Sequence, residues 1–324
     1  MKVIIIESGS HERYLDTRKS VPISISKNIE GFTPLDWITE SLRKNNLFDI
    51  TYAGSYHIEK VLSKFPQYSF FYSKNKHPFL IFLDVVSKIE EFDSTYFFIL
   101  SDSAIRSSLI NKFILNKSDV TLGVDTNLSW KDIPEYFKKS DKLYSIEDGI
   151  VLSKNALKAE LIGRFTGLFT LTGKAIKAIK KQNPKYSDFC SQFNSILKTD
   201  LSFNNIYIQT GWQKIYDRSQ LSEFVFSTKA ETLQCLGEVV KKAKILDSYY
   251  FTVNEWKNNS NSILNEIINK YKNKKLIVRS SAIGEDSIES SQAGKYESIG
   301  NLCSVREIKK GIQKVISSYQ TKEN

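Results

Sequence analysis

Residues 275–300 read KLIVRSSAIGEDSIESSQAGKYESIG. An apolar run, Leu276-Ile277-Val278, reads as the end of a buried strand and stops at Arg279; a long stretch of Ser, Gly, Glu and Asp follows, with little to bury. The arginine brings a planar cationic fork that suits phosphate oxygens. Ser280, Ser281 and Gly294 let the backbone approach a ligand closely, and successive N–H groups in such a stretch form an anion-binding nest. Glu285 and Asp286 are carboxylates able to accept ribose hydroxyls or to hold Mg²⁺. The same composition fits a solvent-exposed loop of turn-forming residues, and composition alone does not separate the two readings.

The order of the residues goes further. V-R-S-S-A-x-x-E-D-x-x-x-x-S-x-A-G-x-Y-x-S, from Val278 to Ser298, resembles the nucleotide-binding segment of the phosphoenolpyruvate synthase and pyruvate phosphate dikinase family. So many fixed positions in one window make a specific match. The resemblance implies an ATP-grasp type domain in which Arg279 contacts ATP phosphates. The serine turn and Ala293-Gly294-Lys295-Tyr296 would form part of the phosphate-gripping surface. FSTKAETLQCL, Phe226 to Leu236, is similar to the family's G-G-K-x-x-x-L-x-x-L entry segment. Lys229 stands at the family's ATP-contacting lysine, and Ser227-Thr228 replace its glycine pair. Taken without the family, Lys229 is a cation in the first turn of a helix whose Ala230, Leu233 and Leu236 make an apolar stripe. A plain surface lysine on an amphipathic helix has the same pattern.

These segments need elements to position them, and the first two hundred residues show a regular alternation. Strand-like runs are KVIIIE (2–7), FDITYA (48–53), YSFFY (68–72), TYFFIL (95–100) and DVTLGV (119–124); helical stretches fall near 34–45, 55–64, 78–91 and 103–116. Such alternation predicts βαβ units, hence an α/β fold with a mostly parallel sheet covered by helices on both faces. Ligands then sit beyond the carboxyl ends of the strands, where strand order switches. The polar loop after the first strand holds Gly9, Arg13 and Lys19, and Asp102 follows the fourth strand. Asp102 equally fits the N-cap of a helix starting near Ser103.

This order resembles the nucleotidyltransferase fold of sugar-nucleotide pyrophosphorylases and molybdenum-cofactor guanylyltransferases. The resemblance implies a loop wrapping a triphosphate, with Gly9, Arg13 and Lys19 near phosphate and Asp102 on Mg²⁺. The family's G-x-G-x-R-L reads Ser8-Gly9-Ser10-His11-Glu12-Arg13-Tyr14-Leu15 here; one glycine is lost, and Glu12 sets negative charge beside the expected triphosphate. TPLDWITESLRKNNLFDITYAGSYHIEKV (33–61) and GRFTGLFTLTGKAIKAI (163–179) match two further family segments. GWQKIYDRSQL (211–221) is similar to the closing element, with Asp217 as a second metal ligand. The expected division is a nucleotidyltransferase-like domain over 1–220 and, over 221–324, the first portion of an α+β ATP-grasp domain. The remainder of the family's ATP-binding domain and its phosphohistidine domain would lie downstream or on a separate chain, since His11, His57 and His77 do not stand where a phosphohistidine is expected.

Composition bounds the rest. The chain has 324 residues, 41% hydrophobic and 12% aromatic, enough for two domains with their own cores. The net charge of +10 suits a nucleotide or another polyanion. Lysines are dispersed, and the densest group, GKAIKAIKKQNPK from Gly173, reads as the solvated face of a helix. No helix-turn-helix, zinc finger or aromatic RNA-binding signature is present, so no nucleic acid is expected. Three well-separated cysteines (Cys190, Cys235, Cys303) show no metal spacing and read as reduced thiols of a cytoplasmic protein. No apolar run is long enough to span a membrane. The functional expectation is an ATP·Mg²⁺-dependent phosphotransferase acting through a phosphohistidine on a small acceptor such as pyruvate or an amide like glutamine, in surface-polysaccharide or phosphonate-type metabolism. Two alternatives stay open: a Mg²⁺-dependent nucleotidyltransferase seated in 1–220 that acts on a phosphorylated sugar or alcohol, and a silent module that recruits a substrate or partner chain.

Overall fold

The protein is represented by a computed structural model that describes residues 1–8, 22–26, 31–126, 143–147, 150–153, 162–182, 188–197, 199–215, 220–221, 224, 230, 232–233, 245–272, 274–281, 286–287, 290–291 and 297–320. The chain divides into two compact units, Met1–Ser222 and Glu223–Asn324.

In the first unit the elements run β1 (Lys2–Ile6), a 3₁₀ turn (Ile23–Ile25), α1 (Pro34–Lys44), β2 (Ile50–Gly54), α2 (Ile58–Lys64), β3 (Ser69–Tyr72), α3 (Pro78–Lys88) and β4 (Thr95–Leu100). There follow β5 (Ser103–Ile105), α4 (Ser107–Leu115), β6 (Val120–Asp125), β7 (Leu143–Glu147), β8 (Ile150–Ser153), β9 (Ile162–Thr172), α5 (Gly173–Lys181), α6 (Phe189–Ile196), β10 (Phe203–Ile208) and β11 (Trp212–Lys214). The main sheet has the order β10-β6-β9-β4-β1-β2-β3, with β7 and β8 attached through β9. Strand β1 pairs in parallel with both β2 and β4, β2 with β3, and β6 with β10. The chain therefore builds outward from β1 to β3 on one side, then returns to place β4 on the other. That reversal is a topological switch point at the carboxyl ends of β1 and β4.

Successive side chains of β1 alternate between two cores. Ile4 and Ile6 join one cluster with Phe82, Phe98 and Phe169, while Val3 and Ile5 join another with Leu35, Ile38 and Phe113. A strand buried on both faces needs such an unbroken aliphatic run. The first cluster is densely aromatic: Phe98 stacks on Phe169 at 4.8 Å, and Phe82 meets both edge-on at 5.2 and 5.5 Å. Local chemistry starts the helices. Thr33 caps α1 reciprocally with Asp36, and Pro34 occupies the first turn. In α5, Ala175, Ile176 and Ile179 are buried and its four lysines point outward.

Two sequence expectations change here. The helix expected from 103 begins at Ser107, because Ser103–Ile105 is instead strand β5, paired antiparallel with β11. The N-cap of α4 is Arg106, so Asp102 does not cap that helix. The sheet also contains a strand that the alternation did not reveal: β9 lies antiparallel between β4 and β6. It carries a register shift opposite Leu122 and Val124. Gly167 takes φ +79 at this irregularity, a conformation that side chains rarely adopt, and a Cβ there would lie 2.5 Å from Leu100.

The second unit contains α7 (Val253–Lys270), β12 (Leu276–Arg279), β13 (Asp286–Ser287), β14 (Ser290–Ser291), β15 (Ser298–Leu302) and α8 (Val305–Gln320). β12 pairs antiparallel with β15, and β13 with β14. Trp256, Ile263, Ile267, Leu302 and Ile312 form its core, with Leu276 and Val278 packed against it. Strand β12 is thus half-buried rather than buried: its other face carries Ile277, 54% exposed, and Arg279. Leu233 is also exposed, so the stripe expected near residues 230–236 is not a wholly buried one.

Candidate functional sites

The switch point in the first unit is built by backbone and short polar side chains. The Ser101 amide donates to the Ile6 carbonyl at 2.9 Å, which carries the β1–β4 pairing past the strand ends. The Ser8 amide donates to Ser101 Oγ at 3.1 Å, and the Asp102 amide donates to Ser8 Oγ at 2.7 Å. Ser8 and Ser101 are both buried, so these bonds fix where Asp102 leaves the sheet. The Asp102 carbonyl in turn accepts from the Ile215 amide at 2.7 Å. The chain following β11 is thereby held beside Asp102, two residues before Asp217. Asp217 itself, with Gly9, Arg13 and Lys19, lies outside the described residues.

The β5–β11 ribbon stiffens the same corner. Trp212 Nε1 donates to Ser103 Oγ at 3.2 Å, and the Arg106 amide donates to the Gly211 carbonyl at 2.9 Å. Arg164 lies over the Trp212 ring at 5.1 Å and pairs with Asp125 at 2.8 Å. Both side chains of that pair are largely buried, at 12% and 8% exposure.

Glu7, which the sequence reading passed over as the last residue of a strand, is 3% exposed just beyond β1. Its Oε2 accepts from the amides of Ser55 at 2.6 Å and Tyr56 at 2.9 Å. Its Oε1 is buried and has no hydrogen-bond partner among the described residues. Burial pushes the carboxyl above its ordinary value of 4.5, against the two amides and nearby His57, which act to lower it. Tyr52, close by and fully buried, bonds Ser24 Oγ at 3.1 Å, and burial pushes its hydroxyl well above the usual range. The legible signal was an acidic side chain closing an otherwise aliphatic run.

In the second unit the two sequence segments expected to share a ligand are brought together. Ser281 Oγ accepts from the Ala230 amide at 2.8 Å, across 51 residues of chain. The Ser281 amide donates to Tyr319 Oη at 3.0 Å, which ties the same turn to α8. Ser280 is buried at 4% exposure, so the serine pair is an anchored turn and not a free loop. Arg279, one residue earlier, is exposed at the end of β12. Its backbone is held in register opposite Ser298 of β15. Lys229, Glu285 and Gly294 lie outside the described residues, and of Asp286 only the backbone of β13 is described.

Among the described residues no group of three or more His, Cys, Asp or Glu side chains could hold a metal ion. Among the described residues, Cys190 is buried, Cys303 is exposed, and neither forms a disulfide. No helix is long and apolar enough to cross a membrane.

Residues 214–323 match the family model described as the pyruvate phosphate dikinase AMP/ATP-binding domain. No curated protein sequence matches the chain. Among solved structures, the chain is similar to a Bacillus anthracis protein assigned as a glucose-1-phosphate thymidylyltransferase, with 14% identity and a TM-score of 0.55 over 75% of this chain and 98% of that one. It is similar also to the inositol-1-phosphate CTP transferase from T. maritima, with 18% identity and a TM-score of 0.54 over 74% of this chain and 97% of that one. At such identities the likeness is one of fold. A nucleotidyltransferase-like α/β fold therefore precedes a segment that matches the pyruvate phosphate dikinase AMP/ATP-binding domain.

Proposed function

We propose that this chain supplies the ATP-gripping portion of a phosphotransferase of the phosphoenolpyruvate synthase and pyruvate phosphate dikinase type. The observation that carries the reading is the bond from the Ala230 amide to Ser281 Oγ. It joins the residue after Lys229 to the turn that follows Arg279, so that two cations from distant segments can meet one triphosphate. Ser280 and Ser281 orient the turn, Arg279 and Lys229 supply positive charge, and Glu285 and Asp286 offer oxygen ligands to Mg²⁺ or ribose. The phosphoryl group of ATP would pass to a histidine of a further domain or chain and then to a small acceptor, pyruvate or an amide such as glutamine. Surface-polysaccharide or phosphonate-type metabolism fits the neighbouring nucleotidyltransferase-like unit. Charged hydrogen bonds of this kind are worth about 1.5–3 kcal/mol each, so Arg279→Ala and Lys229→Ala should each weaken ATP binding by about ten- to hundredfold. Calorimetric titration of folded variants with ATP and Mg²⁺ measures this; wild-type affinity in both would reject the reading.

A second activity is favoured by the bond that holds Ile215 against Asp102. Nucleotidyl transfer by residues 1–220 would use Asp102 and Asp217 as Mg²⁺ ligands, with Gly9, Arg13 and Lys19 around the triphosphate. Two carboxylates on adjoining segments suit a hard cation that keeps most of its waters. Asp102→Ala should then abolish the Mg²⁺-dependent part of nucleoside triphosphate binding other than that of ATP. Unchanged binding in the variant would leave the first unit as a silent recruitment module.

A further inference from the structure

We infer that Glu7 reads the amino group of a nucleobase bound at the carboxyl end of the first unit's sheet. The inference rests on the reading that this unit binds a nucleoside triphosphate, and adds to it the class of base.

The geometry supplies three arguments. First, one carboxylate oxygen is already spent. Oε2 takes both the Ser55 and the Tyr56 amides, which pins the side chain against the turn after β2. Second, the other oxygen is spare. Oε1 is buried and has no partner among the described residues, and a buried acceptor left unsatisfied costs free energy that a ligand donor can recover. Above its raised titration range the Glu7 carboxylate is ionised and only accepts, so its complement there is an N–H or O–H donor and not a phosphate oxygen. Third, the turn that Glu7 holds carries two aromatic rings, Tyr56 and His57, set edge-to-face at 4.4 Å. Two rings on the turn that Glu7 holds suit a flat ligand with a donor on its edge, and a base bearing an exocyclic amine is such a ligand. The position is also built for this one side chain. A Cβ at Gly54 would stand 2.5 Å from Glu7 Oε2, so residue 54 is small where Glu7 must pass.

A carbonyl in place of the amine, as in uracil for cytosine, would face Oε1 acceptor to acceptor, and a hydrogen in its place, as in hypoxanthine for guanine, would leave Oε1 without a donor. The site should therefore prefer cytosine over uracil, or guanine over hypoxanthine, because the members of each pair differ at an amino group. Sites built around one hydrogen bond reject the analogue that lacks it more strongly than apolar pockets reject a methylene.

The test is calorimetric titration of the full chain, in Mg²⁺, with CTP against UTP and GTP against ITP; ATP is left out because the second unit is expected to bind it. The wild type should prefer the amino-bearing member of at least one pair by about tenfold or more. Glu7→Gln keeps an oxygen for the Ser55 and Tyr56 amides and presents an N–H where Oε1 stood, so it should erase or reverse that preference. Gly54→Ala, which crowds Glu7 from the outside, should blunt the preference without touching the ligand, and it serves as the second variant if Glu7→Gln fails to fold. Equal affinities within both pairs in the wild type overturn the inference while leaving nucleotide binding intact. So does a preference that survives Glu7→Gln. Failure of every triphosphate to bind overturns both the inference and the reading it rests on.

Discussion

Glu7 holds a carboxyl group where the core gives it almost no water, and this has a consequence for stability apart from any ligand. Its folded-state value is raised above 4.5 by burial. Over the interval between that ordinary value and the raised one, the folded protein keeps a proton that the unfolded chain has released. Stability must therefore fall as pH rises through this interval, and the loss is complete above it. His57, which acts on Glu7 in the opposite direction, and Tyr52, which stays neutral there, are the neighbouring titratable groups. Glu7→Gln has no proton to exchange. Melting temperatures of the two proteins measured from about pH 4 to about pH 8 should diverge in the variant's favour as pH rises; parallel curves would show that Glu7 is solvated. The sequence showed Glu7 only as an acidic residue closing an aliphatic run, since its contacts are with amides 48 and 49 residues away. Arg279 could be picked out as a candidate from the sequence because its setting is local: a guanidinium between an apolar strand and a run of small residues. Asp102 was legible as a position, though its surroundings were not. The strand β5 that follows it is only three residues long and forms solely because β11 returns to pair with it.

At the scale of elements, the Ser281 turn is the joint on which the ATP-binding reading depends. It accepts from the amide of Ala230 and donates to the hydroxyl of Tyr319, so it links the segment near residue 230, the end of β12 and helix α8. Ser281→Ala would leave the Ala230 amide without its acceptor, at a cost of about 1–3 kcal/mol if that amide remains buried. Hydrogen exchange at the Ala230 amide should speed up in this variant, and ATP affinity should fall although no ligand-contacting charge is removed. Exchange at the wild-type rate would mean that the joint is not formed in solution. The strands and helices of the first unit were largely readable, because β1, β4 and β6 are buried on both faces and so are written as aliphatic and aromatic runs. Strand β9 escaped that logic. It enters the parallel sheet antiparallel, bends at Gly167 and runs straight into the capped helix α5. Its residues alternate weakly with small ones, so only tertiary pairing reveals it. The half-burial of β12 was missed for a related reason: three consecutive apolar residues look buried in sequence, yet a two-stranded ribbon covered on one side leaves Ile277 in solvent.

At the scale of the whole molecule, the chain joins a doubly covered α/β sheet to a smaller α+β unit, and an anionic ligand is proposed for each. A net charge of +10 spread over dispersed lysines accords with small polyanions bound at defined sites. The expected division into 1–220 and 221–324 rested on two family resemblances rather than on a change of pattern, and the chain separates into compact units Met1–Ser222 and Glu223–Asn324. The claim on which the account turns is that two cations, Lys229 and Arg279, grip one ATP. Its most direct test is a double-mutant cycle read by calorimetric ATP affinity in the wild type, Lys229→Ala, Arg279→Ala and the pair, each checked for intact folding. Residues that share one ligand couple, typically by about 0.5–3 kcal/mol. The prediction is a loss of about ten- to hundredfold in each single variant and a double variant that departs from the sum of the two. Both single variants binding ATP as tightly as the wild type would contradict it.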